Sequence, residues 1–337
     1  MKSRILVAAV LVYLFGTITI APMAMGSSNR IVMYTALQQA EMDDLLHAFK
    51  KATGIDVDFV CLPAGEITTR IRAEASNPQV DIFLGGSSEM HDPLAKDGLL
   101  VKYDSPVAKE IDKAFHDPNG YWHGWYLGAL GIVINRDRFK AEMPPGTQYP
   151  KTWDDLLNPA YKGKFVTSNP STAGGAYIFM VTQIFRLGEE RAFQFLKELD
   201  KNVSHYTPSA PAPIQLVATG QFLAGMSWGH DILRVRSQGY PIDLVYPQDT
   251  GWEIGCVSIV KGGPNTEAAK KFVDWVLSKE AGEINTRNSM RYSARKDVPP
   301  PAGVPPLSSI KLVDYDRKWA NENADRLKKK WESTIRR

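Results

Sequence analysis

Cysteine is nearly absent from this chain: Cys61 and Cys256 are the two in 337 residues. A small scaffold stapled by many disulfides is thereby excluded. The pair itself admits two readings, a disulfide or two small unpaired residues on strands. Net charge is scarce as well. The 40 Lys and Arg face 37 Asp and Glu, for a formal +3. No global field points to nucleic acid. There is no Gly-x-x-x-x-Gly-Lys-Ser/Thr phosphate loop and no Cys/His spacing of a zinc site. Low-complexity tracts are missing too, so nothing suggests disorder.

What is present begins with one apolar run. Lys2 and Arg4 precede residues 5–20, and Ala24-Met25-Gly26 sets small residues before a cut at Ser27. This pattern predicts a cleaved signal peptide over residues 1–26, and the run is short for a membrane anchor. No cysteine follows it, so no N-terminal lipid anchor is expected. Loss of Lys2 and Arg4 lowers the formal charge from +3 to +1. The remaining length suits two domains.

Residues 31–35, 55–62 and 80–84 are β-branched or apolar strands. Between them, residues 40–53 place Leu45, Leu46, Phe49 and Ala52 on one helical face, with Gly54 as the stop. Ile67, Ile71 and Ala75 line a second helix. Strand, helix, strand, helix, strand predicts an α/β fold with a parallel sheet and right-handed crossovers. An aromatic cluster around His123 (Tyr121, Trp122, Trp125, Tyr126) then leads into a long strand over residues 127–135. Thr152 opens a helix with an acidic third position. Helices follow up to Leu187, over 189–199 and over 211–219, and Thr266 caps another. Strands cover 224–228, 242–246 and 254–260. Residues 299–306 are a proline-rich connector, and residues 311–335 a basic amphipathic helical tail whose charges read as a solvated face.

Three segments place small polar residues and glycines where a strand gives way to a helix. They are Thr35-Ala36-Leu37, Gly86-Ser87-Ser88 and Ser171-Thr172-Ala173-Gly174-Gly175. Free amides at helix starts hold anions, hydroxyls add donors, and glycine admits close approach. His230, Asp231 and Glu253 offer different chemistry: partners for sugar hydroxyls or an ammonium, and poor ones for a phosphate. Trp228, Trp252 and Trp125 can stack on a sugar face or fill a core. Ser227, His230 and Asp231 are near in sequence, but adjacency does not put the imidazole between its partners. No enzyme and no cofactor are expected.

Several stretches carry a resemblance. They are Val32-Met33-Tyr34-Thr35-Ala36-Leu37, Ala64-Gly65-Glu66-Ile67, Val80-Asp81-Ile82-Phe83-Leu84-Gly85-Gly86, Gly225-Met226-Ser227-Trp228-Gly229-His230-Asp231, Gly239-Tyr240-Pro241-Ile242 and Gly251-Trp252-Glu253-Ile254-Gly255. Over nearly all of the mature chain the sequence resembles the periplasmic solute-binding proteins of ABC importers. The group is the ferric-iron-binding-like one that includes hexose-phosphate and aminoethylphosphonate binders. The resemblance implies a two-lobed periplasmic binding protein type 2 fold with two hinge crossings. Lobe one would be residues 30–130 plus 250–295, lobe two residues 131–249, and residues 296–337 a connector and tail. It implies a periplasmic monomer that takes a small anionic solute and docks on an inner-membrane permease with its ATPase.

The implied ligand is a phosphorylated organic solute, with a hexose phosphate as the leading case. Thr35, Gly86, Ser87, Ser88, Ser171, Thr172, Ala173 and Gly174 would hold the phosphate. Trp228, His230, Asp231 and Glu253 would hold the rest, and the His-Asp and Glu positions match the hexose-phosphate motif. An aminophosphonate is the alternative, and a sensory partner of a membrane receptor is another. Ferric binders of the group use a His, a Glu and an adjacent tyrosine pair. The corresponding places here carry Gln38-Gln39, Gly85-Gly86 and Trp228-Gly229-His230-Asp231, and the chain has no Tyr-Tyr pair. Ferric iron needs anionic oxygens, and that set is incomplete.

Overall fold

A computed structural model describes residues 29–335. The expected signal peptide lies outside them. The strands β1 (Arg30–Thr35), β2 (Asp56–Cys61) and β3 (Ile82–Ser87) pair in parallel in the order β2-β1-β3. The helices α1 (Gln39–Thr53) and α2 (Ala64–Ala73) are the crossovers, and α3 (Ser88–Lys96) follows β3. α1 forms where its sequence asks for it. Gln38 and Glu41 close a capping box, Met42, Leu45 and Phe49 are buried on one face, and Gly54 ends the helix at φ 71°. Phe49 packs edge-on against Phe272, and burying such a ring is worth about 1.5–3 kcal/mol.

The strand β4 (His123–Asn135) joins the two halves of the molecule. All thirteen of its residues are buried. Its first part pairs antiparallel with β9 (Trp252–Ile259), from His123 opposite Val257 to Ala129 opposite Trp252. Its second part pairs with β7 (Ala224–Trp228), from Leu130 opposite Trp228 to Ile134 opposite Ala224. The first lobe's sheet is thus β2-β1-β3-β9-β4. The second lobe's sheet continues β4-β7-β5-β6, with β5 (Phe165–Ser168) and β6 (Val203–Thr207). Strands β8 (Ile242–Val245) and β10 (Tyr292–Ser293) also pair with β4, off this path. The chain returns beside the point where β4 changes sheets. There Leu130 N–H donates to the Gly251 carbonyl at 2.9 Å, and Thr250 Oγ1 donates to the Leu130 carbonyl at 2.8 Å.

The second lobe carries α4 (Arg136–Glu142), α5 (Gly174–Leu187), α6 (Glu189–Asp200), α7 (Ala212–Ala218) and α8 (Gly229–Ser237). α9 (Thr266–Val276) and α10 (Lys279–Ser289) return to the first lobe, and α11 (Arg317–Glu322) and α12 (Ala324–Thr334) form the tail. One core gathers Ile31, Met33, Phe49, Val257 and Phe272. Another gathers Phe165, Tyr177, Ile178, Phe179 and Phe193. Leu327 and Trp331 of α12 belong to the second, so the tail's apolar face is fastened to that lobe.

Two local expectations fail for physical reasons, and the reading left open for the cysteines resolves as unpaired. Thr152 and Asp155 form their cap, with Asp155 accepting from the Thr152 amide at 2.9 Å, yet only the short 3-10 turn Asp154–Leu157 results. Asn158-Pro159 follows at once, and the residue before a proline avoids helical angles. The cap of α9 is Asn265, whose side chain accepts from Ala268 N–H at 3.2 Å, not Thr266. Cys61 and Cys256 are both free, the first half-buried and the second buried. Among the described residues no helix is long and apolar enough to cross a membrane.

Candidate functional site

A cavity of about 400 Å³ opens between the two lobes, within the range of small-ligand sites. The lobes touch across it. Gln38 Nε2, from the first lobe, donates to Asp231 Oδ1 of the second at 3.3 Å. Gly65 lies so near Thr172 that an added Cβ would fall 2.7 Å from the Thr172 carbonyl oxygen.

One wall is made of helix beginnings. Ala64 at the start of α2, Gly86 and Ser87 before α3, and Ala173, Gly174 and Gly175 at the start of α5 all line it. None of these three helices has a side chain capping its first amides. A helix leaves its first four N–H groups without intrahelical partners and carries partial positive charge at that end. Ser87 Oγ is buried and has no hydrogen-bond partner. This wall therefore offers helix-start amides that no side chain caps, and no charged side chain lines it.

The other wall is ionic. Asp231, Arg234, Glu253, Arg291 and Tyr126 line it. Glu41, buried behind, receives a 2.7 Å hydrogen bond from Arg291 Nη1 and stands 3.5 Å from Arg234 Nε. Asp231 Oδ1 is 3.7 Å from Arg291 Nη2 and 3.8 Å from Arg234 Nη2. The Arg291 guanidinium lies 4.8 Å from the centre of the Tyr126 ring. Many donors and acceptors are left over. Asp231 Oδ2, Glu253 Oε1, both His230 ring nitrogens, Arg234 Nε and Nη2, and Arg291 Nε are buried without hydrogen-bond partners. Buried polar atoms are normally paired, so the orphans of Asp231, Glu253, Arg234 and Arg291, which line one cavity, mark a site for a polar occupant.

Burial sets the protonation of this wall. It pushes the Glu253 carboxyl up to about 8, against partial relief from Arg291. It raises Asp231 to about 6, again offset by Arg291. Burial also holds His230 well below the usual imidazole range, with Arg291 and Arg234 adding to the effect. At neutral pH, Glu253 is mainly a neutral donor and His230 a neutral imidazole, while Arg291 and Arg234 favour the ionised form of Asp231 against its burial. Two glycines make room for this arrangement. A Cβ at Gly128 would sit 2.8 Å from the His230 ring, and one at Gly255 would sit 1.9 Å from the Tyr126 ring.

Of the residues expected from sequence, Gly86, Ser87, Ala173, Gly174, Trp228, Asp231 and Glu253 line the cavity. The other five lie outside the lining. Thr35 is fully buried, and its Oγ1 accepts from Leu37 N–H at 3.1 Å, closing its own turn. Ser88 Oγ donates to Glu89 at 3.3 Å. Ser171 Oγ donates to Glu332 of the tail at 2.6 Å, and Thr172 Oγ1 donates to the Pro208 carbonyl at 2.8 Å. His230 stands behind Asp231 with its ring stacked on Trp228. Trp125 is buried in the first lobe's core, and Trp252 is covered by the Arg317 guanidinium at 4.0 Å, so neither faces the cavity.

Arg234, Arg291 and Glu41 are the additions of the structure. A signal existed for Arg234, three residues after Asp231 on the same face of α8. None existed for Arg291, which reaches Glu41 across 250 positions. The five residues from Gly225 to Gly229 also spell Gly-x-Ser-x-Gly, the hydrolase nucleophile pattern. Ser227 nevertheless lies within β7 with no left-handed backbone, and its Oγ donates to the Ala210 carbonyl at 2.7 Å. No exposed nucleophile results.

A model of the bacterial extracellular solute-binding proteins matches residues 77–318, well over half of the chain. The chain belongs to that family. It is 33% identical to an uncharacterized protein of Haemophilus influenzae over 92% of this chain and 93% of the other. Its structure is similar to that of the periplasmic binding protein AfuA of Actinobacillus pleuropneumoniae, solved with exogenous fructose-6-phosphate bound. The TM-score is 0.87 and the identity 31%, over 91% of this chain and 98% of that one. It is also 26% identical to a putative 2-aminoethylphosphonate-binding periplasmic protein of Salmonella typhimurium, over 75% and 74% of the two chains. The fold is thus the two-lobed type 2 periplasmic binding fold. The protein is a solute-binding component of the ABC-transporter type, which works with a permease and an ATPase and is not an enzyme.

Proposed function

We propose that this protein captures a hexose phosphate in the interlobe cavity for import. The phosphate lies against the starts of α2, α3 and α5, and the sugar hydroxyls meet Asp231 and Glu253, with His230 behind them. The observation that carries this reading is the division of one cavity into uncapped helix starts and orphaned carboxylates. Helix starts suit a phosphate and carboxylates suit hydroxyls. AfuA, similar in fold and sequence, is a sugar-phosphate complex in its solved form.

In this reading residues 30–130 with 250–295 close on residues 131–249 about the Leu130 and Gly251 crossings. The mature monomer works in the periplasm. An aminophosphonate is the second reading, because Asp231 Oδ2 and Glu253 Oε1 are also placed to face an ammonium.

The test is a thermal-shift panel on ligand-stripped protein with glucose 6-phosphate, fructose 6-phosphate, glucose, inorganic phosphate, 2-aminoethylphosphonate and ferric citrate. A ligand at about 100 times its Kd stabilises by about 2.7 kcal/mol. A shift with a hexose phosphate that neither glucose nor inorganic phosphate reproduces is expected. A shift with 2-aminoethylphosphonate or ferric citrate alone would overturn the assignment.

A further inference from the structure

Arg317 opens α11 and is not among the residues that line the cavity. Its guanidinium nevertheless meets two segments that do the lining. Nη1 donates to Glu89 Oε1 at 3.2 Å, and Nη2 donates to the Trp252 carbonyl at 3.1 Å. The guanidinium lies over two aromatic rings, 4.0 Å from the centre of Trp252 and 5.0 Å from that of Tyr315.

Both contacts are one step from a ligand-facing group. Glu89 has a fully buried side chain in the first turn of α3, two residues after Ser87, and its other oxygen accepts from Ser88. The Trp252 carbonyl belongs to the peptide bond that leads into Glu253. One cation thus grips the phosphate-facing loop and the carboxylate-bearing strand from behind.

The tail that supplies it is anchored elsewhere. Leu327 and Trp331 sit in the second lobe's core, and Tyr177 donates to the Ala320 carbonyl. Asn321 reaches back to Asp92 on α3 of the first lobe. Besides the two crossings near Leu130 and Gly251, the tail is therefore a third link between the lobes.

We propose that Arg317 is a positioning residue for ligand capture. It fixes the spacing between the start of α3 and Glu253 and couples that spacing to a tail rooted in the second lobe. This rests on the cleft as the ligand site, whichever solute fills it. Two variants separate the role from simple folding. Arg317→Lys keeps a counter-ion for Glu89 but loses the planar two-donor fork. Arg317→Met combined with Glu89→Gln removes both charges, so no carboxylate is stranded in the interior.

Both are measured by stopped-flow and calorimetry with glucose 6-phosphate and with 2-aminoethylphosphonate, and by amide hydrogen exchange without ligand. We expect tenfold or greater loss of affinity, carried by faster dissociation. We also expect exchange at residues 86–90 and 252–254 to quicken at least tenfold, while the β1 and β2 amides keep their protection. In the wild type, binding of either probe should also protect residues 315–322. Unchanged dissociation rates and local exchange in the folded variants would overturn the proposal, as would unaltered tail exchange in a wild-type complex. If neither probe binds the wild type, the phosphorylated-solute reading fails, and the ligand-free exchange result still decides the role of Arg317.

Discussion

The two walls of the cleft hold their polar groups in opposite ways. The helix-start wall uses backbone amides, one orphaned hydroxyl and glycines, and carries no formal charge. The ionic wall links Glu41, Asp231, Arg234 and Arg291 in a buried network, with Glu253 beside them. With Glu253 protonated, its two remaining carboxylates balance its two guanidinium groups. A dianion therefore gains little net attraction there, and finds aligned dipoles on the other wall. One wall is cheap to build and general for anions. The other is costly to bury and specific in shape, since each orphaned atom must be met by a matching group.

Asp231 should mark the largest asymmetry. Asp231→Ala removes a hydroxyl partner and leaves Arg234 and Arg291 with Glu41 as their remaining carboxylate neighbour. It should weaken glucose 6-phosphate binding by about 1–3 kcal/mol, or roughly 5- to 150-fold. Calorimetry showing wild-type affinity would remove the ionic wall from the site.

Glu253 sharpens the comparison through pH. Its folded value is about 8 against an ordinary 4.5. The native state therefore holds a proton that the unfolded state releases between those values, and each rise in pH through the window favours unfolding. The cost is absent below about pH 4.5 and complete above about pH 8. Glu253→Gln should accordingly melt several degrees above the ligand-free wild type at pH 8.5, with the gap closing towards pH 4.5. Parallel melting curves across that range would contradict burial as the controlling influence.

Ser87 should give the smallest effect. Ser87→Ala deletes one neutral donor beside amides that remain, and should cost about 0.5–1.5 kcal/mol of affinity without altering the pH dependence. A loss larger than that of Asp231→Ala would reverse the ranking of the two walls.

The walls also differ in how far they could be read from sequence. Gly86-Ser87 and Ala173-Gly174 sit at strand-to-helix junctions, so local pattern alone placed them. Thr35, Ser171 and Thr172 share that pattern but close their own turns or bind Pro208 and Glu332 instead. Local pattern names a helix start without saying where its hydroxyl points. The ionic wall is built from long-range partners. Glu41 and Arg291 meet through the packing of α1 against α10, which no short window contains. Glu253 was legible as a motif, whereas its raised proton affinity depends on burial that only the assembled lobes create. The tail read as a basic amphipathic helix with a solvated charged face. Arg326 and Lys330 do lie on that face, paired with Glu189, and Leu327 and Trp331 fill the apolar one, whereas Arg317 departs from the reading by pairing with the buried Glu89.

The most direct test is a crystal structure of the protein with glucose 6-phosphate. The account predicts the phosphorus beside Ser87 and Gly174, within hydrogen-bond reach of the first amides of α3 and α5, with sugar hydroxyls on Asp231 and Glu253. A phosphorus seated between Arg234 and Arg291, with the sugar against the helix starts, would contradict it.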